Sequence, residues 1–140
     1  MKSIFNLCIR IICKDILKQE RKYYAVDMGL RRILVSGNVR DTGRILENIV
    51  FLDLKRRAGT VYVGQSTGGE IDFVTNGANG PAYYQVAESV RDPKTLEREL
   101  SSLRNLDDNY PKTLITLDDE RPTNHNGIQQ IYALDWLMQL

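Results

Sequence analysis

The sequence predicts an α/β domain, and three features of its patterning carry that prediction. Between residues 41 and 58 apolar side chains recur at helical spacing. Between 60 and 87 three β-rich runs are parted by glycine-containing turns, and Thr113-Leu114-Ile115-Thr116-Leu117 is the near-continuous apolar run of a strand covered on both faces. The chain has 140 residues, 42% of them hydrophobic, which suits one core.

Taken in order, the N-terminal run Ile4-Phe5-Asn6-Leu7-Cys8-Ile9-Arg10-Ile11-Ile12-Cys13 reads as a buried strand or helix. Arg10 interrupts it, no small-residue cleavage site follows, and it falls far short of the ~20 apolar residues of a membrane span. No membrane partner is therefore expected. Cys8 and Cys13 are the two cysteines and His125 the one histidine, a set too sparse for a zinc site; free thiols in a cytoplasmic setting are expected.

Tyr23-Tyr24-Ala25-Val26 reads as a short strand closed by Asp27-Met28-Gly29, and Leu30 to Val35 suits a short helix ending at Ser36-Gly37. Asp41 or Thr42 can cap the next helix, striped by Ile45, Leu46, Ile49, Val50, Leu52 and Leu54 until Ala58-Gly59 stops it. Strands are expected at Thr60 to Gln65, Glu70 to Thr75 and Ala82 to Ala87, with turns at Ser66-Thr67-Gly68-Gly69 and at Asn76 to Gly80. Pro93 opens an amphipathic helix through Leu106, with Leu96, Leu100 and Leu103 on its sheet face and Glu97, Arg98 and Glu99 largely on the other. A polar loop through Pro122 and Asn124 to Gly127 leads to a last strand, Ile128 to Tyr132, and Asp135 begins a short terminal helix.

Nineteen basic against eighteen acidic residues give a charge of +1, so no global field draws the chain to nucleic acid. A local footprint would use Arg31, Arg32, Arg40, Arg44, Lys55, Arg56 and Arg57, interleaved with Tyr23 and Tyr24, to meet phosphates without sequence preference. The near-zero net charge favours the plainer reading of these residues as solvated helix faces. No phosphate-binding G-x-x-x-x-G-K-[ST] loop occurs, and Ser36, Ser66 and Ser89 lack nucleophile-elbow surroundings. His125 and Asp118-Asp119-Glu120 read as solvated turns.

Three polar residues sit where the pattern calls for apolar or surface ones: Glu47 near the helical stripe, Asp72 inside Ile71-Asp72-Phe73-Val74, and Gln85 in the third strand run. A charge within an apolar strand is costly unless it is paired or binds a cation. The helix-strand-strand-strand-helix-strand order, the helical Glu47 and the segments Gly69-Glu70-Ile71-Asp72-Phe73-Val74 and Tyr84-Gln85-Val86-Ala87 resemble the PD-(D/E)XK nuclease-like fold. More closely, Tyr23 to Arg31, Leu46-Glu47-Asn48-Ile49-Val50, Glu70 to Val74, Gln85-Val86-Ala87, Asp107 to Lys112 and Gly127-Ile128 look like the C-terminal domain, of unassigned function, of bacterial and archaeal AAA-type ATPases.

The resemblance implies a restriction-endonuclease-like three-layer domain, a central mixed β-sheet flanked by helices on an αβββαβ core. It assigns residues 23–140 to that domain and 1–22 to an extension left from an upstream module, as in a truncated gene or fragment. In active nucleases of this fold the helical Glu, the strand Asp and an E-x-K pair hold Mg²⁺ and position water. Glu47 and Asp72 resemble the first two and are the metal ligands, if any; Gln85 stands for the second acid and Ala87 for the lysine. An amide removes one charge from the metal cage and an alanine offers nothing to developing charge, so a degenerate nuclease without a bound cofactor is expected. Arg91 or Lys94 would be the migrated substitute for the lysine in the alternative, an active metal-dependent DNA nuclease with a variant motif.

A closed polar network is an equally open reading of the same trio: Glu47 accepting backbone hydrogen bonds at the hairpin, Asp72 paired with Arg44, and Gln85 satisfying both. The candidate partners are DNA, an ATPase module, or a second copy docked through the apolar N-terminal segment; the last two describe an interaction or oligomerisation module without nucleic-acid binding.

Overall fold

A computed structural model of the chain describes residues 5–7, 22–27, 29 and 42–138. The expected helix at 30–35 lies outside these residues, as do Arg31, Arg32, Ser36, Arg40, Cys8 and Cys13. Two short strands, β1 (Phe5–Leu7) and β2 (Tyr23–Ala25), pair antiparallel in a ribbon of their own. Helix α1 (Thr42–Ala58) follows, then β3 (Val61–Ser66), β4 (Gly69–Gly77) and β5 (Gly80–Ala87), helix α2 (Pro93–Arg104) and strand β6 (Lys112–Thr116). Strands β7 (Thr123–His125) and β8 (Ile128–Tyr132) and helix α3 (Ala133–Met138) complete the order.

Six strands form one mixed sheet in the order β3-β4-β5-β6-β8-β7. β3, β4 and β5 are antiparallel, β5, β6 and β8 are parallel, and β7 returns antiparallel on β8. The parallel crossover from β5 to β6 needs a covering helix, which α2 supplies. One sheet face buries Phe73, Ile115 and Ile131 against Leu46, Val50, Phe51 and Leu54 of α1 and Trp136 of α3. The other buries Ile71, Ala87, Leu114 and Ile128 against Leu100 and Leu103 of α2. The fold is thus α/β, a six-stranded mixed sheet with helices on both faces.

Local chemistry explains the boundaries. Asp92 caps α2 by accepting from the Thr95 amide at 2.9 Å, with Pro93 in the first turn where a missing amide costs nothing. Lys55, Arg56 and Arg57 sit in the last turn of α1, where positive charge suits the exposed carbonyls. Gly68, in the β3–β4 turn, lies so close under α2 that a Cβ there would collide with the Ser101 backbone. The Ser66 and Ser101 hydroxyls tie the same turn to the helix, donating to Ser102 O at 2.7 Å and Gly68 O at 3.1 Å.

Three expectations are corrected. The polar loop before β8 contains β7, joined to it by an Asn126-Gly127 turn with both residues at positive φ, 53° and 93°. Glu99 faces inward rather than to solvent, because Gln85 beneath the helix offers it a donor at 3.0 Å. Asp118 is not a solvated turn residue: it is 4% exposed and accepts from Ser89 Oγ at 2.7 Å and the Val90 amide at 2.8 Å. Those donors leave a buried carboxylate satisfied, and they pin the loop between β5 and α2 to the end of β6.

Candidate functional site

The site begins with a fault in the ladder. Tyr62 opposes Val74 and Gly64 opposes Ile71, so Val63 alone faces both Asp72 and Phe73. This is a β-bulge, which turns consecutive side chains of one strand away from strict alternation. Ile71 consequently packs under α2 while Phe73 packs under α1. The β4–β5 register ends at Phe73 and Tyr84, and side chains take over beyond it. Asp72 Oδ2 accepts the Val86 amide at 2.9 Å and Gln85 Oε1 accepts the Asp72 amide at 3.4 Å.

The remaining oxygen of Asp72 meets Lys22. Its ammonium lies 3.2 Å from Asp72 Oδ1, 3.1 Å from Glu47 Oε1 and 2.5 Å from Glu70 Oε1. The Tyr24 hydroxyl donates to the same Glu47 oxygen at 2.8 Å. Extended backbone puts residues two apart on one side, so Lys22 and Tyr24 reach Glu47 together. The Asn48 side-chain amide fixes the segment by imitating a strand neighbour: it accepts from Ala25 N and donates to Ala25 O, both at 2.8 Å. The Tyr24 ring stacks on Phe51 with centroids 4.1 Å apart.

The electrostatics follow from this packing. Burial raises the Asp72 carboxyl to about 6, with Glu47 adding to the rise, while Lys22 and the Val86 amide pull the other way. Burial would lower Lys22, but Asp72, Glu47 and Glu70 more than reverse it and hold the ammonium above the ordinary lysine value. Lys22 thus stays charged wherever the cluster is intact.

Glu47 and Asp72, the expected first two members of the trio, do converge. The cation between them is a lysine from the segment ahead of β2, not Arg44, Arg91 or Lys94: Lys94 is exposed and Arg91 lies beside Asp118 at 3.3 Å and Glu120 at 3.5 Å. Gln85 touches Asp72 only through the backbone amide. Its side chain turns to the α2 face, accepting from Ser102 Oγ at 3.3 Å and donating to Glu99, while Ala87 lies in the apolar cluster on that face. Oxygen donors of this kind suit a hard divalent cation. As they stand they do not fit one, because the ammonium lies among three carboxylates and Asp72 Oδ2 is spent on the Val86 amide. Among the described residues no group of three or more His, Cys, Asp or Glu side chains is arranged to hold a metal.

Sequence reasoning missed Lys22 and Glu70. The available signal was the two-residue spacing of Lys22 and Tyr24, the same as that of Glu70 and Asp72, but nothing in sequence joins positions 25 and 50 residues apart. The basic footprint is partly engaged elsewhere. Arg56 and Arg57 both pair with Asp53, and Arg57 also lies 4.8 Å over the Trp136 ring and donates to the Trp136 carbonyl. Lys55 and Arg44 are exposed. His125 Nε2 lies 2.8 Å from Gln130 Oε1, within the β7–β8 hairpin.

The chain is similar to a protein of Haemophilus influenzae (strain Rd) described only as uncharacterised, with 40% identity over 126 residues. That match covers 90% of this chain and 31% of the relative, so the chain spans about a third of the relative's length. No protein-family model and no solved structure matches. No helix among the described residues is long and apolar enough to cross a membrane.

Proposed function

We propose that this chain is a restriction-endonuclease-like domain of the PD-(D/E)XK kind that has lost metal-dependent cleavage and serves, in the cytoplasm, as a DNA-associated or regulatory appendage of an AAA-type ATPase. The observation that carries the reading is the Lys22 ammonium among Glu47, Glu70 and Asp72, at the place a divalent cation would need. The helix, three-strand, helix, strand order with a parallel β5–β6 pair supports the fold assignment. The greater length of the Haemophilus relative leaves room for an ATPase module in proteins of this kind.

The chemistry is consistent with silence. A nuclease of this type needs a cation to orient water and offset charge on the phosphate. Here the Lys22 ammonium already stands among the carboxylates and offsets one of their three charges, and Gln85 and Ala87 add neither charge nor proton transfer. The test is incubation of the chain with supercoiled and linear DNA in Mg²⁺ or Mn²⁺. Intact DNA is expected; cleavage that disappears in Asp72→Ala would overturn the proposal. DNA association is read by a gel shift across a salt series: a shift weakening steeply with salt supports it, and no shift at low salt leaves the regulatory role alone.

One observation favours the variant-motif nuclease as a second reading. Lys22 and Glu70 together restore a lysine and a further carboxylate to a site whose aligned positions lack both. The same cleavage assay decides between the two.

A further inference from the structure

We infer that Lys22 is the resident cation of this site, an ammonium supplied in cis that keeps the carboxylate cluster closed to divalent ions, so that removing its charge opens the cluster to them. The inference rests on the cation-replacement reading above and adds the site's regulation to it.

Three independent features point this way. First, the geometry is that of a bound cation rather than of a surface ion pair. One nitrogen lies within 3.2 Å of oxygens from three carboxylates on two elements, Glu47 on α1 and Glu70 and Asp72 on β4. Second, two of the three carboxylates are held in place without the lysine. Asp72 is fixed by the bulge and the Val86 amide, and Glu47 by the Tyr24 hydroxyl. Taking away the ammonium would therefore leave the Asp72 and Glu47 oxygens in place, with the exposed Glu70 side chain able to close on an incoming cation. Third, the backbone carrying Lys22 is anchored separately, through the paired Asn48–Ala25 hydrogen bonds and the Tyr24–Phe51 stack. The lysine side chain itself is 30% exposed and reaches the cluster on a flexible four-carbon stem. Its head can leave without unfolding the segment behind it.

Three carboxylates facing one ammonium carry a surplus of two negative charges, so the cluster is compensated only in part. Without the lysine the like charges repel at close range in a half-buried setting, and either a proton or a small cation must take its place. Carboxylate oxygens prefer Ca²⁺ or Mg²⁺ among the available ions.

The experiment compares thermal unfolding of the full chain, wild type and Lys22→Met, with and without about 10 mM Ca²⁺, the concentration chosen to reveal a weak oxygen-ligand site. Lys22→Met keeps the length of the stem and removes the charge. The variant is expected to unfold at lower temperature than wild type in the absence of Ca²⁺ and to gain about 5 °C with it, whereas wild type gains less than about 1 °C. The double variant Lys22→Met, Asp72→Asn should lose the gain. No gain in Lys22→Met, or an equal gain in wild type, overturns the inference.

Should Lys22→Met not fold, the wild-type Val86 amide, which reports on Asp72, is followed by nuclear magnetic resonance during a Ca²⁺ titration. A shift that is absent or fails to saturate is the result expected of a cluster closed by a tethered ammonium; a saturating shift, which would mean that Ca²⁺ enters with Lys22 in place, overturns the inference. None of these arms reads DNA cleavage, so a nuclease-active wild type would sink the proposed function while leaving this result to stand or fall by itself.

Discussion

Asp72 and Asp118 are both buried, 9% and 4% exposed, and each accepts a backbone amide from the β5 region, Asp72 from Val86 and Asp118 from Val90. They differ in what completes the set. Asp118 gains the Ser89 hydroxyl at 2.7 Å, a neutral donor one residue from the amide it already holds, and its cation Arg91 is 67% exposed. Asp72 gains an ammonium from a segment 50 residues away, and its second neighbour is another acid, Glu47. A carboxylate satisfied by neutral local donors is a structural pin, indifferent to charge elsewhere. One that depends on a distant cation is coupled to whatever moves that cation.

Four measurements separate the two carboxylates. The largest effect is expected from Asp118→Ala, which leaves the Val90 amide and the Ser89 hydroxyl without their acceptor; urea denaturation should register a loss of about 3 kcal/mol. Lys22→Met comes next, at about 2 kcal/mol, less than a fully buried pair because the lysine remains partly solvated. If Lys22→Met proves neutral, Asp72 is as self-sufficient as Asp118 and the contrast fails.

The third effect is on pH. Asp72 holds its proton up to about 6 in the folded chain and to an ordinary aspartate value when unfolded, so between those values the native state binds more protons. Stability should therefore rise, by about 1–2 kcal/mol, as pH falls from 7 to 5, because burial outweighs the Lys22 ion pair in setting the Asp72 pKa. Asp92 and Asp108 do not offset this. Thr95 hydrogen bonds lower Asp92, while burial opposes but Lys112 and Tyr83 prevail in lowering Asp108; both contributions are lost only as pH falls below the ordinary aspartate value. Asp72→Asn should flatten the slope between pH 7 and 5, and a wild-type curve that falls in this window would refute the assignment. The smallest effect is expected from Arg91→Ala: within about 0.5 kcal/mol of wild type, because Asp118 keeps its two neutral donors.

Much of the frame was legible. Helix α1 declares itself by its stripe and by Gly59, helix α2 by Pro93 and its three leucines, strands β3 to β5 by β-rich runs between glycine turns, and β6 by its near-continuous apolar run. These signals are local, set by backbone preference and the period of burial. Strand β7 was missed although Asn126-Gly127 marks a hairpin, because Thr123-Asn124-His125 is polar and only three residues long, too short for a period to show. Glu99 was misassigned because helical spacing gives a face, not the identity of what lies beneath it, and Gln85 lay beneath.

The site divides along the same line. Composition and spacing alone mark Glu47 and Asp72 as charges in apolar places, and they imply that something must compensate them. What compensates them was a matter for the tertiary structure. The bulge opposite Val63 aims Asp72 toward α1, the Asn48 amide seats Ala25, and together they bring Lys22 to three carboxylates. A sequence fixes which residues need partners because burial and charge are properties of single positions; which partner arrives depends on distances between segments that only the folded chain sets.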